Sequence, residues 1–178
     1  MVSKAADIRD IVKTGITNPT RAFPVIKALA KSDDWVEREV SATALVEISK
    51  KRPDRVIAEM LIWSRRRDAN VRRTASEALR HVARKHPEHV LPILEHLKTD
   101  SSLYVRKSVA NVLRNAGNYY PEFVLDVCSR WAKLRHPNTN WIIRDGLRKL
   151  KNTRPTEVEN IFGTLRSGDP TEIIVGRE

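Results

Sequence analysis

Apolar residues recur along this chain at helical spacing, and no stretch alternates with the two-residue period of a strand. Val71, Ala75, Ala78, Leu79 and Val82 mark one face of a helix, and Val90, Leu91, Leu94 and Leu97 mark a second helix soon after. The second stripe returns further on as Val124, Leu125, Cys128 and Trp131. Proline sets the beat: Pro19, Pro53, Pro87, Pro121 and Pro155 stand 34 residues apart. Four other prolines fall outside this series, so abundance alone does not produce it. Eight residues before each member lie Ile11, Leu45, Leu79, Leu113 and Leu147. Five before the last four lie Ile48, Val82, Ala116 and Leu150, and nine before lie Ala44, Ala78, Val112 and Gly146. The last set is mostly small, which lets helices approach closely.

Each proline of the comb stands where a second helix begins, a position at which its missing N–H costs nothing. Nineteen residues before the prolines lie Asp34, Asp68 and Ser102, all good N-caps for a first helix. Glu37, three residues after Asp34, completes a capping box. Each unit is therefore an antiparallel helix pair that cannot bury its apolar face alone, and stacking covers it. The fold expected is all-α, an α-solenoid of about five helical pairs over residues 1–166. Trp63 and Trp131 share one apolar column of the second helices and belong to its core. The segment SGDPTEIIVGRE, residues 167–178, leaves the pattern and reads as a loosely docked or disordered tail.

Charge then separates the two sides of the first helices. The chain carries a formal +11 over 178 residues, and residues 103–154 hold 11 Lys or Arg against 3 Asp or Glu. The wheel puts the wet face fourteen, eleven, seven and three residues before each proline. Those positions hold Arg73, Arg80 and Arg84 in one unit, Lys107, Arg114 and Asn118 in the next, then Trp141, Arg144 and Arg148. The earlier unit breaks the pattern with Glu39, Ala42, Val46 and Lys50. A continuous, one-signed face with an exposed aromatic suits a phosphate backbone, because a guanidinium pairs with two phosphate oxygens.

Other chemistry is thin. One cysteine, Cys128, leaves no intramolecular disulfide or Cys-rich zinc site. The histidines His81, His86, His89, His96 and His136 read as edge or surface residues without metal-ligand spacing, and no glycine-rich phosphate loop occurs. Neither a metal nor a small-molecule cofactor is expected. No apolar run reaches the roughly 18 residues that span a bilayer, and the first residues lack the apolar stretch of a secretory signal. The expectation is a cytoplasmic protein, associated with the nucleoid when bound to DNA, with no membrane partner.

A 34-residue period also fits tetratricopeptide repeats, but their Trp, Gly and Tyr signature is missing from the first helices. Val36-Glu37-Arg38, Val71-Arg72-Arg73 and Val105-Arg106-Lys107 open those helices in the manner of HEAT repeats. The stretches VRRTASEALR (71–80), LEHLKTDSSLYVRKSVANVLRNAGNYYPEFVL (94–125) and HPNTNWIIRDGLRKL (136–150) resemble the HEAT-like-repeat DNA glycosylases of the AlkC/AlkD superfamily, the AlkC type above all. The resemblance implies a protein of DNA alkylation repair that grips duplex DNA in the concave face of the solenoid. It also implies excision of cationic N3- or N7-alkylpurines, whose positive charge makes a general acid unnecessary. A carboxylate and aromatic rings then stabilise the oxocarbenium character left on the sugar.

Carried onto this sequence, the resemblance puts DNA-gripping arginines at Arg73 and Arg80. It aligns a first catalytic acid and its aromatic with Asp34 and Trp35, ahead of Arg38. The second carboxylate falls on Asn115, and a tryptophan position falls on Lys85. The binding set expected is thus Arg38, Arg73, Arg80, Arg84, Lys107, Arg114, Trp141, Arg144 and Arg148. Two other readings stand beside excision: a non-catalytic binder of damaged or branched DNA, and a basic scaffold for a protein partner.

Overall fold

The computed structural model describes residues 4–166, with side chains from Ile8 onward. The expected tail, residues 167–178, lies outside the described residues. Ten α-helices and no strand occur among the described residues. They are α1 (Lys4–Thr17), α2 (Pro19–Ala30), α3 (Trp35–Ser49), α4 (Pro53–Trp63), α5 (Ala69–Glu77), α6 (Pro87–Leu97), α7 (Leu103–Gly117), α8 (Pro121–Ala132), α9 (Pro137–Leu147) and α10 (Pro155–Arg166). Short 3-10 turns, Val82–Arg84 and Leu150–Asn152, follow α5 and α9. Every proline of the 34-residue comb opens an even-numbered helix.

The caps explain the odd-numbered starts. The Asp34 carboxylate accepts from the Val36 N–H at 2.9 Å, and Asp68 accepts from Asn70 at 2.8 Å and Val71 at 3.2 Å. Ser102 occupies the same register before α7 without a side-chain cap bond, because the Asp100 carboxylate turns this loop by accepting from the Ser102 N–H. The continuous first helix read from the sequence is interrupted after Glu77. There the Arg80 N–H and the Arg80 Nε both donate to the Glu77 carbonyl, the tighter i to i−3 pattern of a 3-10 turn.

The odd-numbered helices lie side by side in one layer and the even-numbered helices form a second layer behind them. The odd pairs α1–α3, α5–α7 and α7–α9 pack more closely than any pair of neighbouring even helices. One continuous core runs between the layers, with Leu45, Leu79 and Leu147 wholly buried and Leu113 nearly so. Trp63 and Trp131 belong to it, and each spends its indole N–H on a glutamate: Glu59 at 2.6 Å and Glu95 at 2.7 Å. Gly146 fulfils the small-residue column, since a Cβ there would meet Leu113 of α7 at 3.2 Å. Cys128 is fully buried, which pushes its thiol pKa up to about 12 and leaves it unreactive.

A repeated arginine clamps the loops between pairs. Arg38 Nη1 donates to the carbonyls of Ser32 and Asp33, and Arg72 Nη1 to those of Arg66 and Arg67. Arg72 also grips Asp100 with two N–H groups, at 2.6 and 3.1 Å. Arg106, 34 residues later, reaches the Asn138 side chain instead. The Arg72–Asp100 pair is poorly exposed on both sides, so removing one partner strands the other charge. Arg72→Ala is expected to destabilise the fold by about 3 kcal/mol, whereas Lys107→Ala, exposed and without an ion pair among the described residues, costs under about 1 kcal/mol. Urea unfolding of the two variants checks the contrast.

Candidate nucleic-acid interface

Each of α3, α5 and α7 has an odd neighbour on both flanks and the even layer behind it, so only a narrow stripe meets solvent. That corrects one column of the sequence reading. Eleven residues before the prolines lie Ala42, Ser76 and Ala110, which are buried at 1%, 0% and 0% exposure. This column is the flank against the next odd helix; across it the Ser76 hydroxyl donates to Ser108 Oγ at 2.7 Å. The column beside it, ten residues before the prolines, completes the wet stripe instead: Thr43, Glu77, Asn111 and Asp145, all half-buried. The shift is one residue, or 100° on the wheel.

The new column holds acceptors, so the face is not of one sign. Arg73 Nε donates to Glu77 at 2.9 Å, with Glu39 of α3 at 3.9 Å from its Nη2. Arg114 pairs with the Asp145 carboxylate of α9 and donates to its carbonyl at 3.1 Å, while Arg148 approaches the same carboxylate at 3.5 Å. Arg84 Nη2 donates to Asn115 Oδ1 at 2.9 Å, crossing from the 3-10 turn to α7. Side chains therefore bridge each seam from α3 to α9. Among the described residues Arg80, Arg84, Lys107 and Arg144 make no ion pair, so cations outnumber carboxylates on the stripe. Lys107 lies 5.8 Å over the Tyr104 ring.

Three predicted residues sit differently from expectation. Arg38 stands in the loop-clamp register of Arg72 and Arg106, its guanidinium turned onto Ser32 and Asp33. Arg144 occupies the register of Ala42, Ser76 and Ala110, but α9 is the last odd helix described, so Arg144 stays exposed there and lies 5.5 Å over Phe162 of α10. Trp141 is half-buried against the core with Arg106 stacked 5.7 Å from its ring, and is not an open plate. The cation on its ring comes from α7 and not from Arg144 or Arg148 of its own helix.

At the other end of the layer, Trp35 is 68% exposed at the first turn of α3, beside the capping Asp34. Asn115, where the resemblance expects a carboxylate, is fixed by Arg84 and by its own amide donating to the Asn111 carbonyl at 2.8 Å. Lys85 is exposed, and its carbonyl accepts from the Tyr120 hydroxyl at 2.8 Å. Sequence reasoning missed the acceptors Glu77 and Asp145, though their i+4 spacing from Arg73 and Trp141 was visible. It also missed a cluster of His86, Glu88 and His89 just beyond Arg84.

His81 reports the local field. Its pKa is lowered chiefly by burial, then by the charges of Lys85, Lys50 and Arg84, with Glu47 opposing them. Three cations against one carboxylate around this imidazole mark a positive potential at the end of α5.

The repeated VR helices, their loop clamps and the two-layer stack are those of HEAT repeats, whose family description matches residues 23–114. The chain belongs to the HEAT-repeat family. Within it, the chain is similar to the alkylpurine DNA glycosylase AlkC of Pseudomonas fluorescens, solved bound to DNA containing an abasic site analog. The identity is 31% and the TM-score 0.74, over 87% of this chain and 44% of that one. AlkD2 of Streptococcus mutans is similar at 26% identity and a TM-score of 0.65, over 74% of this chain and 66% of that one. The protein smu.31 of Streptococcus mutans UA159 has the same identity and score, over 74% and 68%. This chain thus spans less than half the length of the AlkC chain. No curated protein matches it in sequence. No helix among the described residues is long and apolar enough to cross a membrane.

With its pKa lowered in the folded state, His81 takes up a proton more readily in the unfolded chain. Its contribution is therefore a loss of stability as pH falls below the ordinary histidine value of about 6.5, and none above it. His81→Gln should remove that part of the decline, which a pH series of urea midpoints measures.

Proposed function

We propose that this HEAT-repeat protein acts in DNA alkylation repair, holding double-stranded DNA along the exposed stripe of α3, α5, α7 and α9. The observation that carries the reading is the line of cations across successive odd helices: Arg73, Arg80, Arg84, Lys107, Arg114 and Arg148. Likeness to a DNA-bound AlkC supports the same reading. The odd layer is the inner, concave one in this proposal, since the inner side of a curved stack has the closer spacing. Phosphates engage the free N–H groups of each guanidinium, while Glu77, Asn115 and Asp145 hold those side chains in the stripe.

Arg80, Arg84 and Arg148 contribute most, because Arg80 and Arg84 make no ion pair and Arg148 stays open to solvent with Asp145 no closer than 3.5 Å. Arg114, tied to Asp145, contributes less. Trp141 acts as a support that stacks Arg106, and Arg38 acts through the loop it fixes. In the excising form of the proposal, the Asp34 carboxylate beside Trp35 supports an oxocarbenium-like sugar while it also caps α3.

Asn115 favours binding without excision. An amide carries no charge with which to stabilise a sugar cation, and its oxygen is occupied by Arg84. A shape-reading binder of damaged duplex DNA is therefore the second form of the same proposal.

Replacing Arg80, Arg84 and Arg148 together by Ala is expected to weaken duplex binding roughly tenfold or more, with each removal lowering the slope of log affinity against log salt by about one. Unchanged affinity in a fluorescence anisotropy titration at two salt concentrations removes the stripe as the interface. Incubation with duplex carrying N3- or N7-methylpurines distinguishes the two forms, base release supporting excision and its absence at enzyme excess leaving binding alone. Asp34→Asn keeps the helix cap and so the fold, while any base release is expected to vanish. Release that survives in this variant excludes Asp34 as the essential acid.

A further inference from the structure

The start of α6 differs from the other even helices in one respect. Acidic residues follow the comb proline in three repeats, as Asp54, Glu88 and Glu122. Only in the α6 repeat do imidazoles flank that carboxylate: His86 stands where the others have Arg52 and Tyr120, and His89 where they have Arg55 and Phe123. Glu122 is claimed by Arg154 from the next repeat. Tyr120, which holds Arg154's register one repeat earlier, sends its hydroxyl to the Lys85 carbonyl instead. Among the described residues, Glu88 is therefore left with the two histidines.

Their geometry approaches that of a coordination shell. Glu88 Oε1 lies 3.5 Å from His86 Nδ1 and 3.7 Å from His89 Nε2. One ligand atom from each of the three side chains falls within 4.8 Å of the others. Ligands about 2.1 Å from a tetrahedral ion sit about 3.4 Å apart, close to those two separations. The rings stack with centroids 5.2 Å apart at 19°, and all three side chains are more than half exposed. Rotation about χ2 is thus open to each ring and brings its lone pair toward the carboxylate. The His86 side chain makes no N-cap hydrogen bond, so ligation would take nothing from the helix start.

We propose that His86, Glu88 and His89 form a binding site for one divalent transition-metal ion of the zinc class. Two imidazole nitrogens and one carboxylate oxygen suit such an ion, with water completing the shell. A bound ion would add positive charge directly after Arg84 and Lys85, at the end of the basic stripe.

The test is a titration of the untagged full-length chain with zinc chloride, read by competition with a chromophoric chelator. One saturable equivalent is expected, weakened at least about tenfold by H86A or H89A and also by E88Q, since each removes a ligand. H81A and H136A should leave it unchanged. No saturable binding, or binding indifferent to H86A and H89A, overturns the site. Cobalt(II) gives a second reading: intense visible bands appear if the three ligands hold a tetrahedral ion and are absent if they do not. Neither measurement involves DNA, so failure here leaves the proposed function untouched.

Discussion

Burial of the flanks between neighbouring odd helices is the constraint on which the rest depends. A helix pair from this chain has an apolar face larger than its own partner can cover, and the next pair completes the cover. The demand reaches the side chains in detail. Ala42, Ser76 and Ala110 are small because another helix lies against them, and Gly146 is smaller still because α9 comes within 3.2 Å of Leu113 at the position of its absent Cβ. Once flanks and back are committed, each odd helix keeps a stripe about one residue wide per turn. All surface chemistry of that layer has to fit there.

Inside the stripe, charge is arranged in alternation. Arg73 meets its acceptor Glu77 four residues on, and other acceptors reach across the seams. Glu39 faces Arg73, Asn115 faces Arg84, and Asp145 faces Arg114. These pairs are partly covered, so each charge is held in place as well as screened by the water that still reaches it. They do fix where each guanidinium points, which matters more for a surface that has to match a regular array of phosphates. Arg72 and Asp100, nearly buried at the loop, carry the structural load that the stripe does not.

The helix boundaries were legible because proline and cap residues act locally. A missing N–H or a side-chain oxygen decides a helix start whatever the rest of the chain does, so Pro53 and Asp34 could be read in place. The stripe was legible only in part, because it depends on neighbours. A wheel drawn for one helix has a single buried side, whereas a helix stacked between two others has three, and so the column eleven residues before the prolines was placed on the open face when in α3, α5 and α7 it is a flank. Arg38 misled for a related reason: an arginine has the same formal charge when it clamps a loop as when it faces solvent, and only the positions of the Ser32 and Asp33 carbonyls separate the two. Trp141 was read as exposed among Arg144 and Arg148, whereas its ring stacks on Arg106, which sits 35 positions away in the sequence, beyond any local pattern.

The carboxylates among the arginines have a thermodynamic consequence for any polyanion that docks. An isolated surface cation keeps a loose cloud of mobile counterions, and their release into solution drives association. Glu77 and Asp145 act as resident counterions, tethered to the chain and unable to leave. A phosphate meeting Arg73 or Arg114 has to share the guanidinium with its tether or push the tether aside, with less entropy gained from dispersing salt. Such a surface favours ligands whose charges arrive at the right spacing over those that are merely negative.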